Sequence, residues 1–433
     1  MDGAITVQSE NENIDNLSAK VDEQTDVIIA GAGATGLALG LAITRFTDLQ
    51  VAIVEAGAEI NEQSNAEIPS DFLDLRSVAL SAQSCQFLSE IGLPSVQQLG
   101  CPIDHIHVSD KGHLAQSTMH ASDYNLPELG RVLELPLLVS KLYQALKPAQ
   151  KKLSWFWQNQ IMAIDRASDS VSVKLSSGTH LNARLLVVAE GGNSPTREKL
   201  GIDVTQFNYH QSAIVANIEL AEDHKNWAFE RFTSNGPLAL LPLPDNDSEQ
   251  NRHRCSLVWT VAEHQRESMM ALDEADFLDH LQAEFGYRLG KFKSVGERAW
   301  FPLVLTKANL HIHHRAALLG NACQTLHPIA GQGLNLALRD VKTLMDLLNK
   351  NTNKDPGDFV LLNAYQRVRK QDQSALIAAT ETLVSTFSND YFPLVIGRNL
   401  ALMALDNLPA AKRSLAFRAM GFYQNKGAED AAL

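Results

Sequence analysis

Two hydrophobic rhythms share this chain. Short runs with every position apolar alternate with longer stretches in which apolar residues return every three or four places, and that alternation predicts buried strands feeding amphipathic helices. Asp26-Val27-Ile28-Ile29-Ala30 predicts the first strand, Leu37 to Phe46 a helix, and Val51-Ala52-Ile53-Val54 a second strand ending on Glu55. Far downstream, Ala316 to Leu319 predicts another buried strand. Leu334, Leu336, Leu338, Val341, Leu344, Leu347 and Leu348 then recur at helical spacing.

The stretch between these two β-α units is strand-rich. Ile161 to Ile164, Val171 to Leu175 and Leu185 to Val188 are separated by Ser-Asp-Ser and Ser-Ser-Gly turns, which predicts a β-meander. Ile214 to Leu220, Leu238 to Leu243 and Cys255 to Val261 predict further strands, interrupted by one helix at about Glu274 to Phe285. After Asp358 the pattern is helical. The fold class expected is α/β, with a Rossmann-like domain, an inserted β-rich domain and a helical C-terminus.

Glycines sit where the first unit turns. Gly31-Ala32-Gly33-Ala34-Thr35-Gly36 joins strand to helix, and Glu55 ends the next strand. In this frame the first glycine permits the turn and the second lets backbone approach a pyrophosphate. The third lets helix and strand pack closely, and the acid accepts hydrogen bonds from an adenosine ribose. The downstream unit has its own turn, Gly320-Asn321-Ala322-Cys323 through Pro328, Gly331, Gln332 and Gly333, leading into the helix that carries Asn335. Free N–H groups at a helix start attract negative charge. Two glycine turns so far apart in sequence favour one long cofactor touched by distant parts of the chain. FAD fits that requirement better than NAD.

For the two turns to meet, the middle must be an insertion. The expected division is a polar, acidic extension over 1–24, which we read as disordered, and an FAD domain of 25–95, 136–200 and 300–395. A substrate domain of 96–135 and 201–299 and a helical segment of 396–433 complete it. The net charge is −13, from 37 basic and 50 acidic residues, which argues against a nucleic-acid surface. Cys85, Cys101, Cys255 and Cys323 are widely separated and form no metal-like or redox pair, as in a reduced, cytoplasmic setting. No metal site is expected. The extension lacks the apolar core of a secretory signal.

These motifs resemble those of the FAD-dependent aromatic hydroxylases of the p-hydroxybenzoate hydroxylase fold. The likeness rests on the Gly31 to Glu55 unit, on Val188-Ala189-Glu190-Gly191 running through Ser194 and Arg197, and on Gly320 to Asn335. Within the family, Phe229-Glu230-Arg231-Phe232, Gly236-Pro237-Leu238-Ala239 and Thr325-Leu326-His327-Pro328 look like the ubiquinone-biosynthesis hydroxylases, and His107 to His113 adds support. Two positions depart from the pattern. Glu190 stands where Asp is usual, and Asn321 replaces an Asp, keeping a hydrogen-bonding group but no negative charge.

The resemblance implies FAD as cofactor and NAD(P)H and O2 as co-substrates. It further implies a flavin 4a-hydroperoxide that hydroxylates a polyprenylated methoxyphenol in ubiquinone biosynthesis. A sister hydroxylase acting at another ring carbon and a flavoprotein that mainly scaffolds a biosynthetic complex are the alternatives. Gly31, Gly33, Ala34, Thr35 and Gly36 would hold the pyrophosphate, Glu55 the ribose, and Arg76 would lie beside the FAD. Glu190, Gly320, Asn321 and Asn335 would line the cofactor, while Pro328, Gly331, Gln332 and Gly333 would surround the flavin ring through backbone contacts. His327, before a proline in a tight loop, reads as structural, and Trp259 and Trp300 as core; no general base is identifiable. In 396–433, apolar residues such as Leu400 and Phe417 interleave with Lys412, Arg413 and Arg418, a pattern suited to the surface of an inner membrane or to a biosynthetic complex.

Overall fold

The computed structural model describes residues 23–60, 76–112, 116–244, 253–326, 332–351 and 354–387. The chain opens with β1 (Glu23–Gln24) and β2 (Val27–Ala30), turns through glycine into α1 (Ala34–Phe46), and returns in β3 (Val51–Val54). All eight residues of β2 and β3 are buried. A strand covered on both faces belongs inside a parallel sheet, which is why these runs are apolar throughout and do not alternate.

Next come β4 (Ser77–Ser81), α2 (Ala82–Glu90), β5 (Cys101–Ile103), β6 (His105–Asp110), β7 (Gln116–His120) and β8 (Gly130–Glu134). They are followed by α3 (Leu135–Leu146), β9 (Leu153–Phe156), β10 (Ile161–Arg166), β11 (Val171–Leu175), β12 (His180–Ala183) and β13 (Leu185–Val188). Strands β20 (Ala316–Leu318), β13, β2, β3 and β9 form a five-stranded parallel sheet. Val27 and Ile29 face a core with α1, α3 and the later helices, while Ile28 and Ala30 face the residues of β10 to β12. Each fully buried Ile contributes about 1.5–3 kcal/mol by leaving water.

Here one sequence expectation is corrected. Leu185 to Val188 is not part of the meander: it lies between β2 and β20 in the parallel sheet, as four consecutive buried apolar residues require. The meander is instead completed by β12, whose mixed His-Leu-Asn-Ala pattern gives only a weak signal.

Beyond β13 lie α4 (Pro195–Lys199), β14 (Val204–Leu220), β15 (Trp227–Thr233), β16 (Gly236–Leu243), β17 (Arg254–Ala262), α5 (Arg266–Ala271), α6 (Glu274–Phe285), β18 (Phe292–Val295) and β19 (Ala299–Ala308). The chain then returns to the parallel sheet in β20 (Ala316–Leu318), followed by β21 (Gln324–Thr325), α7 (Gln332–Lys350) and α8 (Phe359–Phe387). The large sheet runs β21-β19-β14-β17-β16-β15-β6-β7, with β18 on β14.

Its two faces differ. Ile214, Ala216, Phe229, Leu238, Leu257 and Trp259 pack on Phe277, Leu281 and Phe285 of α6. The opposite face carries Val215, Val258, Ala239 and Glu230, in cross-strand register. At one end it is covered by the β4-β8-β5 sheet, where Ala228 and Leu243 meet Ile103 and Val132. Trp259, read from sequence as core, stacks edge-on against Phe277 at 5.6 Å, whereas Trp300, read the same way, is 41% exposed and lies under the Arg266 guanidinium at 4.0 Å.

Candidate active site

Four parallel strands end at one place, and the sequence motifs are what follow them. Gly31 comes after β2, Glu55 after β3, Ala189 and Glu190 after β13, and Gly320 after β20. Ligands bind outside the carboxyl ends of such strands because helix N-termini and strand-end loops gather there.

Contact distances show how tightly the three motifs meet. Gly31 has φ +107, and a Cβ there would lie 2.8 Å from the Ala189 carbonyl oxygen. A Cβ on Gly36 would sit 1.9 Å from the Gly31 oxygen, so helix and turn pack as closely as backbone allows. Gly320, at φ +58, places its hypothetical Cβ 3.0 Å from Thr35 Oγ1 in the first turn of α1. Arg197 ties the second motif to the third, donating from Nη1 to the carbonyls of Gly192 (2.9 Å) and Ala322 (3.1 Å).

Glu55 faces the first turn. Its Oε2 accepts from Ala32 N–H at 2.6 Å and its Oε1 from Gly57 N–H at 2.8 Å, which fixes the carboxylate and leaves lone pairs on both oxygens. Gly33 caps α1 with no side-chain hydrogen bond, and space is open where its Cβ would be. Gly333, in the first turn of α7, is equally open. Ala34 is buried and Thr35 half-buried beside them, while Asn321 is exposed at the mouth of its turn. Uncapped helix N–H groups behind an open glycine cradle suit a pyrophosphate, so these residues fit FAD.

Other expected site residues have additional or different engagements. Glu190 accepts from Ser194 Oγ (2.5 Å), Thr196 Oγ1 (2.6 Å) and Thr196 N–H (3.2 Å), capping the start of α4. Asn335 is buried; its Oδ1 accepts from Ser81 N–H and its Nδ2 donates to the Ala79 carbonyl, both at 2.8 Å. It thereby pins β4 to α7, and exposed Arg76 immediately precedes that strand. Gln332 begins α7, whereas His327, Pro328 and Gly331 lie outside the described residues, as does 396–433.

One part of the site escaped the sequence reading. Gly320 N–H donates to Asp340 Oδ2 at 2.9 Å, and Asp340 Oδ1 accepts from Arg369 Nε at 2.6 Å. Arg369 Nη1 also reaches Asp372, which Arg339 holds from the other side. Burial works against the Arg369 charge, but Asp340 and Asp372 overcome it and raise its pKa above the ordinary arginine value. The available signal was an acid at 340 on the apolar stripe of α7, between Ala337, Val341 and Leu344.

Comparison with known proteins agrees with this construction. The FAD binding domain family matches residues 24–380. The ubiquinone hydroxylase UbiL of Rhodospirillum rubrum is 33% identical over 417 residues, covering 94% of this chain and 91% of that protein. The 3-demethoxyubiquinol 3-hydroxylase of Escherichia coli is 30% identical over 410 residues, covering 92% and 99% respectively. Among solved structures, p-nitrophenol 4-monooxygenase PnpA from Pseudomonas putida DLL-E4 gives a TM-score of 0.73 at 15% identity, over 92% of this chain and 98% of that one. PqsL of P. aeruginosa, in complex with 2-aminobenzoylacetate, gives 0.67 at 21% identity, over 85% and 97%. At such identities the two structures speak for the fold alone. With the family matched over most of its length, the chain belongs to the FAD binding domain family, in the group of ubiquinone-biosynthesis FAD hydroxylases, and is an FAD-dependent monooxygenase using NAD(P)H.

Proposed function

We propose that this protein hydroxylates the ring of a polyprenylated methoxyphenol on the route to ubiquinone. The observation that carries the reading is the strip of the large sheet at Val258 and Ala239, which stays partly exposed among the described residues while the other face is sealed by α6. An apolar row of Val215, Val258 and Ala239 with polar groups beside it suits a phenol carrying a long hydrocarbon tail. The relatives named as ubiquinone hydroxylases support the same substrate class.

Bound FAD supplies hydride acceptance and oxygen activation, chemistry no side chain here can perform. The chain's own residues bind and orient. Gly31, Gly33, Ala34, Thr35 and Gly36 present backbone to the pyrophosphate, and Glu55 receives the ribose hydroxyls. Gly320 and Asn321 border the flavin's polyol chain. The first turn of α7, at Gln332 and Gly333, offers N–H groups to negative charge on the ring. Asn335 acts through β4 by holding Arg76 at the edge of the site, and Glu190 by fixing α4.

Purified protein given FAD, NADPH, O2 and a short-chain 2-prenyl-6-methoxyphenol should yield a product one oxygen atom heavier, with that atom derived from labelled O2. NADPH oxidation with no labelled product would overturn the reading. The E. coli relative, whose name specifies position 3 of a demethoxyubiquinol, favours a second reading in which another ring carbon is attacked. NMR of the product distinguishes the two. Truncation before residue 396 tests membrane or complex association: FAD content should hold while liposome binding falls.

A further inference from the structure

Glu230 stands out on the uncovered face of the large sheet. Along β15, Trp227 and Phe229 pack toward α6, so Ala228, Glu230 and Phe232 point to the opposite side. Glu230 pairs in register with Ala239 of β16 and Val108 of β6, and Ala239 pairs with Val258. One carboxylate therefore interrupts an otherwise apolar row. It is partly buried, and its side chain makes no hydrogen bond or ion pair with any described residue. On the same face, Asn217 Oδ1, Ser256 Oγ and Thr260 Oγ1 are buried with no hydrogen-bond partner. Buried polar atoms left without partners are costly unless a ligand or water meets them.

This face is connected to the cofactor site through the strands that cover one end of it. Ala228 and Leu243 meet Val132 of β8, whose partner β4 is bonded by Asn335 in the first turn of α7. The same turn holds Gln332 and Gly333.

Resting on the function proposed above, we infer that Glu230 is the catalytic base that takes the proton of the substrate's phenolic hydroxyl. The phenol O–H bond breaks and a carboxyl O–H bond forms on Glu230. The electron pair stays on the phenolate oxygen and spreads into the ring, which becomes a stronger nucleophile toward oxygen. The proton leaves to solvent on product departure. Burial pushes the Glu230 carboxyl up to about 7, so the acid changes charge where a base must. The other titratable and charged groups of β15 and β6 are Arg231, His105, His107 and Asp110; on β8, Glu134 is held by Arg254 at 2.7 Å and Arg131 by Glu128 at 2.6 Å.

The test follows the pH dependence of turnover and not its size alone. In FAD-loaded enzyme with short-chain 2-prenyl-6-methoxyphenol, kcat for ring oxygenation should rise with pH through about 7 as the Glu230 carboxylate forms. In E230Q, with FAD content and melting unchanged, that rise should vanish and kcat should fall about 100-fold with KM little altered. E230D should restore part of the rate and of its pH dependence. An E230Q enzyme with the wild-type pH dependence would overturn the assignment, as would a wild-type kcat that does not change through pH 7. If E230Q fails to load flavin, the wild-type titration still decides. A wild-type protein that neither binds nor oxidises the phenol would instead overturn the functional reading beneath it.

Discussion

Single residues in this protein are legible where backbone geometry forces their identity. Gly36 is an example: no side chain fits 1.9 Å from the Gly31 oxygen, and its spacing from Gly31 could be read without coordinates. Gly36→Ala should destabilise the fold by about 1–3 kcal/mol, the usual range for overpacking, and yield protein with little flavin. Denaturant unfolding and the flavin-to-protein absorbance ratio check it, and a yellow protein of wild-type stability would contradict the packing argument. Glu55 was equally legible, since strand length and turn size fix where it falls. Glu230 was not. Its segment is visible in sequence, but only α6 sealing the Phe229 side shows which way the carboxylate points.

At the level of elements, sequence periodicity found α6 and α7 but not what joins α7 to α8. The Asp340 to Arg369 contact links two helices through one charge each, and neither leaves a periodic trace. Beside this pair lies buried His311, whose backbone N–H donates to Gln366 of α8 at 3.2 Å. Burial, then the Arg369 charge, pushes its imidazole down from 6.5 to about 4. Folded protein therefore keeps His311 neutral while the unfolded chain takes up a proton first. Its contribution to stability is present above pH 6.5 and is lost as pH falls toward 4, on the order of 3 kcal/mol in all. His311→Gln should flatten that part of the stability curve in urea titrations run at several pH values; an unchanged slope would show that His311 is not the group responsible. The split of the expected meander belongs to this scale too. A four-residue apolar run carries no mark of which sheet it joins until its partners are known.

For the molecule as a whole, the α/β class was readable because the β-α units at its two ends share one rhythm. The order of the large sheet was not, since it joins β6 and β7 to β15 across intervening strands of the three other sheets. Because folded chain alone offers the cofactor cradle, free FAD at about 100 times its Kd should add about 2.7 kcal/mol to stability. Calorimetry across a series of FAD concentrations checks this, and a melting temperature indifferent to FAD would contradict a site built from both ends of the chain. The meeting of Gly320 with Thr35 also has a consequence in time. A nascent chain makes its first glycine turn long before β20 and the turn that completes the cradle. The cradle is thus closed only once β20 has been made, and until then β13 carries an unpaired edge.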